Sequence, residues 1–138
     1  MSYPLGVWQA MLATVFIAEK VSLGEYDFVP TSQIAADLNI PTPSLARLLR
    51  ELNRAGIIET REGARGGVRL ALPPDRVSLL DIVDAIEQRR ALFRTDAAPA
   101  VTGETPTRRQ VALQSALSAA ERALRQELEV SIDKISHG

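Results

Sequence analysis

Two prolines, Pro41 and Pro43, constrain this chain most, because proline is excluded from helix interiors and apolar residues recur at helical spacing on both sides of the pair. Upstream, Thr31 can cap a short helix in which Ile34, Ala35 and Leu38 share a face, and Asn39 closes it. Downstream, Thr42 is a good N-cap and Pro43 is pre-set in φ for the first helical position, so a second helix runs to Ala55 and stops at Gly56. Its apolar stripe is Leu45, Leu48, Leu49 and Leu52. The opposite face carries Ser44, Arg47, Arg50, Glu51 and Arg54, a short polar start followed by arginines one helical turn apart. Two short helices joined by a tight turn, the second with a cationic face, suit the DNA major groove.

Two runs of strand character follow, Ile57 to Arg61 and Val68 to Leu72, separated by Glu62-Gly63-Ala64-Arg65-Gly66-Gly67. They are expected to pair as a hairpin. Its glycines allow conformations and close approaches that bulkier residues block, and Arg65 at the tip is placed to enter a minor groove or touch a phosphate. Next, Ser78 followed three residues later by Asp81 is a capping-box pattern, starting a helix with Leu79, Ile82, Val83 and Ile86 on one side. This helix buttresses the winged module.

The helix-turn-helix, the Gly-rich wing and the segment Leu72-Pro73-Pro74-Asp75-Arg76-Val77-Ser78-Leu79-Leu80-Asp81-Ile82-Val83-Asp84-Ala85-Ile86-Glu87 together resemble the Rrf2 family of bacterial transcriptional regulators, over most of the chain. The family's wing usually reads Arg-Gly-x-x-Gly-Gly-Tyr, and here the arginine and the tyrosine are both displaced. Ser44 stands where many members carry an aromatic residue. The resemblance implies a DNA-binding homodimer, generally a repressor that occupies operator DNA.

A chain of 138 residues with 46% apolar content fits one ordinary domain plus an extension, with no room for a second enzyme domain. It has no run of about 18 apolar residues and no leader pattern, so a cytoplasmic protein with no membrane association is expected. The net charge of -1 hides an uneven distribution. Residues 1–40 hold one lysine against four acids, whereas residues 47–69 hold six arginines against three acids. A local basic patch can bind phosphates while the chain as a whole stays acidic.

The segment from Pro4 to about Val21, with Leu5, Trp8, Leu12 and Val15 and with Met11 and Phe16 beside them, is expected to form an amphipathic helix packed on the helix-turn-helix. Trp8 on that face is assigned to core or dimer interface rather than to a ligand pocket. Ser22 to Pro30 has turn composition and is taken as a connecting loop, and residues 95–105 as a mobile one. Thr105-Pro106, or Thr107 with Gln110, then starts a long helix with Leu113, Leu117, Ala120, Leu124, Leu128, Ile132 and Ile135 recurring every three or four positions. About 30 helical residues span roughly 45 Å, more than a small winged domain covers, so the stripe is expected to meet the same helix of a second subunit.

The expected fold is therefore mainly α with a small β-hairpin wing. Its parts are a winged helix-turn-helix over residues 1–77, a buttressing helix over 78–94, a loop over 95–105 and a dimerisation helix over 106–138. Dimer contacts are assigned to Leu113, Leu117, Ala120, Leu124, Leu128 and Ile132. For DNA, Thr42, Ser44, Arg47 and Arg50 enter the major groove, with Arg47 the candidate for a guanine edge and Thr42 or Ser44 for phosphates or base edges. Arg54, Arg61, Arg65 and Arg69, with Gly66 and Gly67 at the wing, serve the backbone or the flanking minor groove. Ser32 and Gln33 are placed to hold a phosphate. Two such heads imply a palindromic operator in double-stranded DNA with half-sites about one helical turn, or a multiple of it, apart.

Several Rrf2 proteins hold an iron–sulfur cluster through three cysteines before the long helix, but this chain has no cysteine and only one histidine, His137. No metal or cofactor is expected. A signal would come from a small molecule in the dimer groove, from a protein partner, or not at all. An enzyme is disfavoured, since there is no Cys or His nucleophile pair and the Gly-rich loop joins two strands instead of leading into a helix. Asp81, Asp84 and Glu87 fit a cap and a solvated face better than an acid/base pair. The remaining alternative is a winged-helix protein-interaction module that does not read DNA, favoured by Glu62 at the wing and by the low net charge.

Overall fold

The helix-turn-helix forms where the prolines place it, in a computed structural model that describes residues 5–93 and 103–137. Helix α2 (Thr31–Leu38) ends at Asn39, which takes the left-handed conformation, and α3 (Thr42–Arg54) is closed by Ala55 and by Gly56 at φ +79°. The caps differ from expectation. Pro30 and Pro41 occupy the cap positions, with no side-chain cap bond, and Thr31 and Thr42 are the first helical residues. A proline suffices there because its φ, -60° and -56° in the two cases, pre-sets the entry while its carbonyl accepts the first helical bond, as Pro41 does from the Leu45 N–H at 3.0 Å.

Helix α1 (Leu5–Ser22) crosses the back of α3 and buries Val7, Ala10, Ala13, Thr14, Ile17 and Ala18. This is a different face from the one bulk predicts. Leu5 and Trp8 are 65% and 60% exposed, and Leu12 and Val15 are half-buried. Trp8 therefore does not belong to the core. Because α1 contacts α2, α3 and α4 together, small side chains turn inward and let the backbones approach. The Thr14 hydroxyl is satisfied within the helix, donating to the Ala10 carbonyl at 2.7 Å. Ile34, Leu45, Leu48 and Leu52 complete the core from α2 and α3.

The wing is an antiparallel pair, β1 (Ile58–Arg61) and β2 (Gly67–Leu70), in register Ile58 to Leu70 and Arg61 to Gly67. The strands are shorter than expected, and Leu72 lies outside them, exposed. Residues 22–30 prove more than a connector: Val29 is fully buried and exchanges both backbone hydrogen bonds with Val68, at 2.8 and 2.9 Å. The hairpin is thereby sewn to the segment that leads into α2.

After a 3₁₀ turn at Pro74–Arg76, helix α4 (Leu79–Glu87) starts on the expected capping box. The Asp81 N–H donates to Ser78 Oγ and the Ser78 N–H to Asp81 Oδ2, both at 3.0 Å. The helix ends earlier than expected, since Gln88 and Arg89 adopt positive φ of 55° and 60°. Most of the loop expected over 95–105 falls on residues 94–102, which lie outside the described residues.

The C-terminal part departs most from its sequence pattern. Helix α5 covers Glu104–Glu127, with Gly103 in the cap position, and a separate α6 covers Ile132–His137. Between them the chain pairs with the start of α4: Leu79 and Leu80 N–H donate to the Val130 and Leu128 carbonyls, and Ile132 N–H to the Val77 carbonyl, at 2.8–3.0 Å. Ile132 is fully buried in the domain's own core, so its assignment to a dimer contact is corrected. Its apolar neighbours four residues away kept the helical period through the break and concealed it. We expect Ile132→Ala to lower the unfolding free energy by about 2–4 kcal/mol in urea titrations at fixed protein concentration. An effect confined to oligomer dissociation would contradict this placement.

Candidate nucleic-acid interface

Helix α3 presents the face that the arginine spacing predicts. Leu45, Leu48, Leu49 and Leu52 are buried, while Thr42, Arg47, Arg50 and Arg54 are exposed and Ser44 is half-buried at the first turn. Among the described residues, the Arg47 and Arg50 side chains have no hydrogen-bond or ion-pair partner, whereas Arg54 meets Glu51 at 3.4 Å. Ser32 and Gln33 lie in the first turn of α2, exposed and half-buried respectively.

Between α3 and the wing runs an open groove of about 670 Å³, lined by Leu49, Arg50, Asn53, Arg54, Thr60 and Glu62 among others. Asn53 sets the angle between the two walls, its Nδ2 donating to Thr60 Oγ1 at 3.2 Å and to the Ile58 carbonyl at 3.4 Å. Arg65 stands exposed at the wing tip, with no partner for its side chain among the described residues.

The structure accounts for Gly66 and Gly67 through the fold itself. A Cβ on Gly67 would lie 2.2 Å from the Val29 carbonyl oxygen, and one on Gly66 would lie 2.3 Å from that of Arg61. Both glycines let backbone meet backbone.

Arg61 and Arg69, expected on the DNA backbone or in the flanking minor groove, both already have partners within the chain. Arg61 Nε and Nη2 donate to the Arg65 carbonyl at 3.3 and 2.8 Å, bracing the wing tip. Arg69 Nε donates to Glu59 Oε1 at 2.5 Å, and that hydrogen bond holds its guanidinium above the ordinary arginine value. Each also reaches Asp27 and stacks on Phe28. Sequence reasoning missed Asp27, Phe28, Glu59 and Asn53. The available signal was the apolar pair Phe28-Val29 closing a segment of otherwise polar turn composition.

The profile of the Rrf2 family, described as iron-dependent transcriptional regulators, matches residues 8–137. A candidate HTH-type transcriptional regulator of Synechocystis is 47% identical over 64 residues, 45% of this chain and 44% of that protein. The HTH-type transcriptional regulator IscR of Cereibacter sphaeroides is 31% identical over 88 residues, covering 64% of this chain and 56% of IscR. These matches span about half the length of the curated relatives. The solved structure of CymR, the global cysteine regulator of B. subtilis, aligns over 99% of this chain and 97% of its own with a TM-score of 0.70 at 18% identity, a likeness of fold.

The iron of the family description does not fit this donor set. The chain has no cysteine, its one histidine is exposed and pairs with Asp133 at 3.2 Å, and no three His, Asp or Glu side chains converge among the described residues. The match over residues 8–137 shows that the chain belongs to the Rrf2 family of transcriptional regulators.

Proposed function

We propose that this protein is a sequence-specific DNA-binding regulator that works in the cytoplasm as a homodimeric repressor on a palindromic operator, without an iron–sulfur cluster. The observation that carries the reading is the pair of exposed arginines on α3, Arg47 and Arg50, which have no side-chain partner among the described residues; Arg50 lines the groove between α3 and the wing, and Arg65 stands exposed at the wing tip. A helix laid in the major groove brings such side chains to base edges, while a wing beside it reaches the neighbouring backbone or minor groove. In this reading Thr42, Ser44, Arg47 and Arg50 enter the major groove, Arg54 serves the backbone or the flanking minor groove, and Ser32 and Gln33 hold a phosphate.

Selection of bound sequences from random duplex DNA, followed by titration of the winner at two salt concentrations, tests it. A palindrome with salt-sensitive affinity is the expected result; failure to enrich any sequence favours a protein-interaction module instead. Arg47→Ala should then weaken operator binding by about tenfold or more and relax preference at one base pair, measured by competition among single-base variants. Unchanged affinity and preference would show that the α3 face is misassigned.

A further inference from the structure

Two cations lie over the Phe28 ring. The Arg61 guanidinium carbon lies 4.2 Å from its ring centroid and that of Arg69 lies 4.3 Å away. Asp27 receives both, from Arg61 Nη1 at 3.5 Å and Arg69 Nη1 at 3.2 Å, while Glu59 takes the Nε of Arg69. Two wing arginines thus meet two carboxylates, and their charges cancel at the wing surface. Stacking fixes each guanidinium plane against the ring and leaves its edge to bind anions. The Asp27 side chain is 68% exposed, so the anion on those edges is open to replacement from solvent. A carboxylate and a phosphodiester offer a guanidinium the same paired oxygen acceptors.

We propose that Asp27 stands in for a DNA phosphate in the free protein, holding Arg61 and Arg69 on Phe28 and restraining binding until a backbone phosphate displaces it. The proposal rests on the DNA-binding reading and deepens it. A stand-in of this kind weakens contact with any duplex, because the backbone is common to all sequences, and so leaves discrimination to the α3 side chains. It also explains how wing arginines stay ordered before DNA arrives: the ring and the carboxylate keep both side chains in place.

The test is Asp27→Asn in the full chain, which keeps shape and an acceptor oxygen but removes the charge. It should tighten binding to the selected operator and to a random duplex by about three- to tenfold at fixed salt, and steepen the salt slope by about one. Adding Arg69→Ala should remove at least half of that gain, because the freed guanidinium is its source. Thermal unfolding of each variant checks that the wing is intact. Equal affinity and slope for wild type and Asp27→Asn, on DNA that the wild type binds salt-sensitively, overturn the proposal and leave DNA binding standing. Weaker binding by Asp27→Asn also overturns it, making Asp27 a support of the wing and not a competitor. A wild type that binds no duplex at any salt concentration removes the DNA reading and the proposal together.

Discussion

Gly67→Ala should destabilise the protein by about 2–4 kcal/mol in denaturant titrations and cost most of its DNA affinity, because the added methyl has nowhere to go. At φ +151° its Cβ would lie 2.2 Å from the carbonyl oxygen of Val29 and 2.9 Å from the nitrogen of Pro30. Those neighbours are backbone and cannot rotate aside, so β2 must move away from residues 28–30. Two hydrogen bonds between Val29 and Val68 are then lost, along with the close approach that buries both side chains. Phe28 shifts with Val29, and the guanidinium stack on its ring comes apart. Gly63 is the control: it also has positive φ, at 101°, but no atom lies within 4 Å of its added Cβ, so Gly63→Asn should cost far less. Similar unfolding midpoints for Gly67→Ala and wild type would mean that the wing is not seated on residues 28–30.

The contrast between those glycines marks where sequence stops being informative. Local punctuation was legible: the proline pair divides α2 from α3, Gly56 ends α3, and Ser78 with Asp81 starts α4 by side-chain bonds of the expected kind. Each of these acts within four residues of itself. The α3 face was equally legible, since its leucines and arginines separate cleanly at 3.6-residue spacing. What failed depends on contacts distant in sequence. Asp27 meets Arg69 across 42 positions, and nothing near Asp27 announces an arginine. In α1, the alanines that face the core are less apolar than the leucine and tryptophan that do not, so hydrophobicity alone selected the wrong side. The break after Glu127 was hidden because Leu124, Leu128 and Ile132 keep helical spacing, whereas the chain leaves the helix to hydrogen-bond with Val77, Leu79 and Leu80.

That break sharpens what the long helix can do, and Leu113→Glu with Leu117→Glu should turn a dimer into a monomer. Helix α5 is 24 residues and so about 36 Å long, and none of its described residues is buried within the chain. Its C-terminal end is clamped to the domain by Arg125, which donates to both carboxylate oxygens of Asp84 at 3.0 Å. Farther up the helix, Val111 and Leu113 are 58% and 66% exposed. A second copy of the same helix covers such a stripe by an isologous contact, which is our proposed dimer. Two glutamates on the stripe would face two more across a two-fold axis, so desolvation and like-charge repulsion both oppose association. Sedimentation should show a monomer where the wild type is a dimer. Because each half-site is then bound singly, affinity for a palindrome should fall by about a hundredfold or more, while affinity for an isolated half-site stays near the wild-type value. The unfolding midpoint extrapolated to low protein concentration should stay close to the wild type, since Leu113 is exposed, Leu117 only half-buried, and neither belongs to the monomer's core cluster. A wild type that sediments as a monomer and still binds the full operator with high affinity would refute the α5 interface and require the two heads to meet on DNA alone.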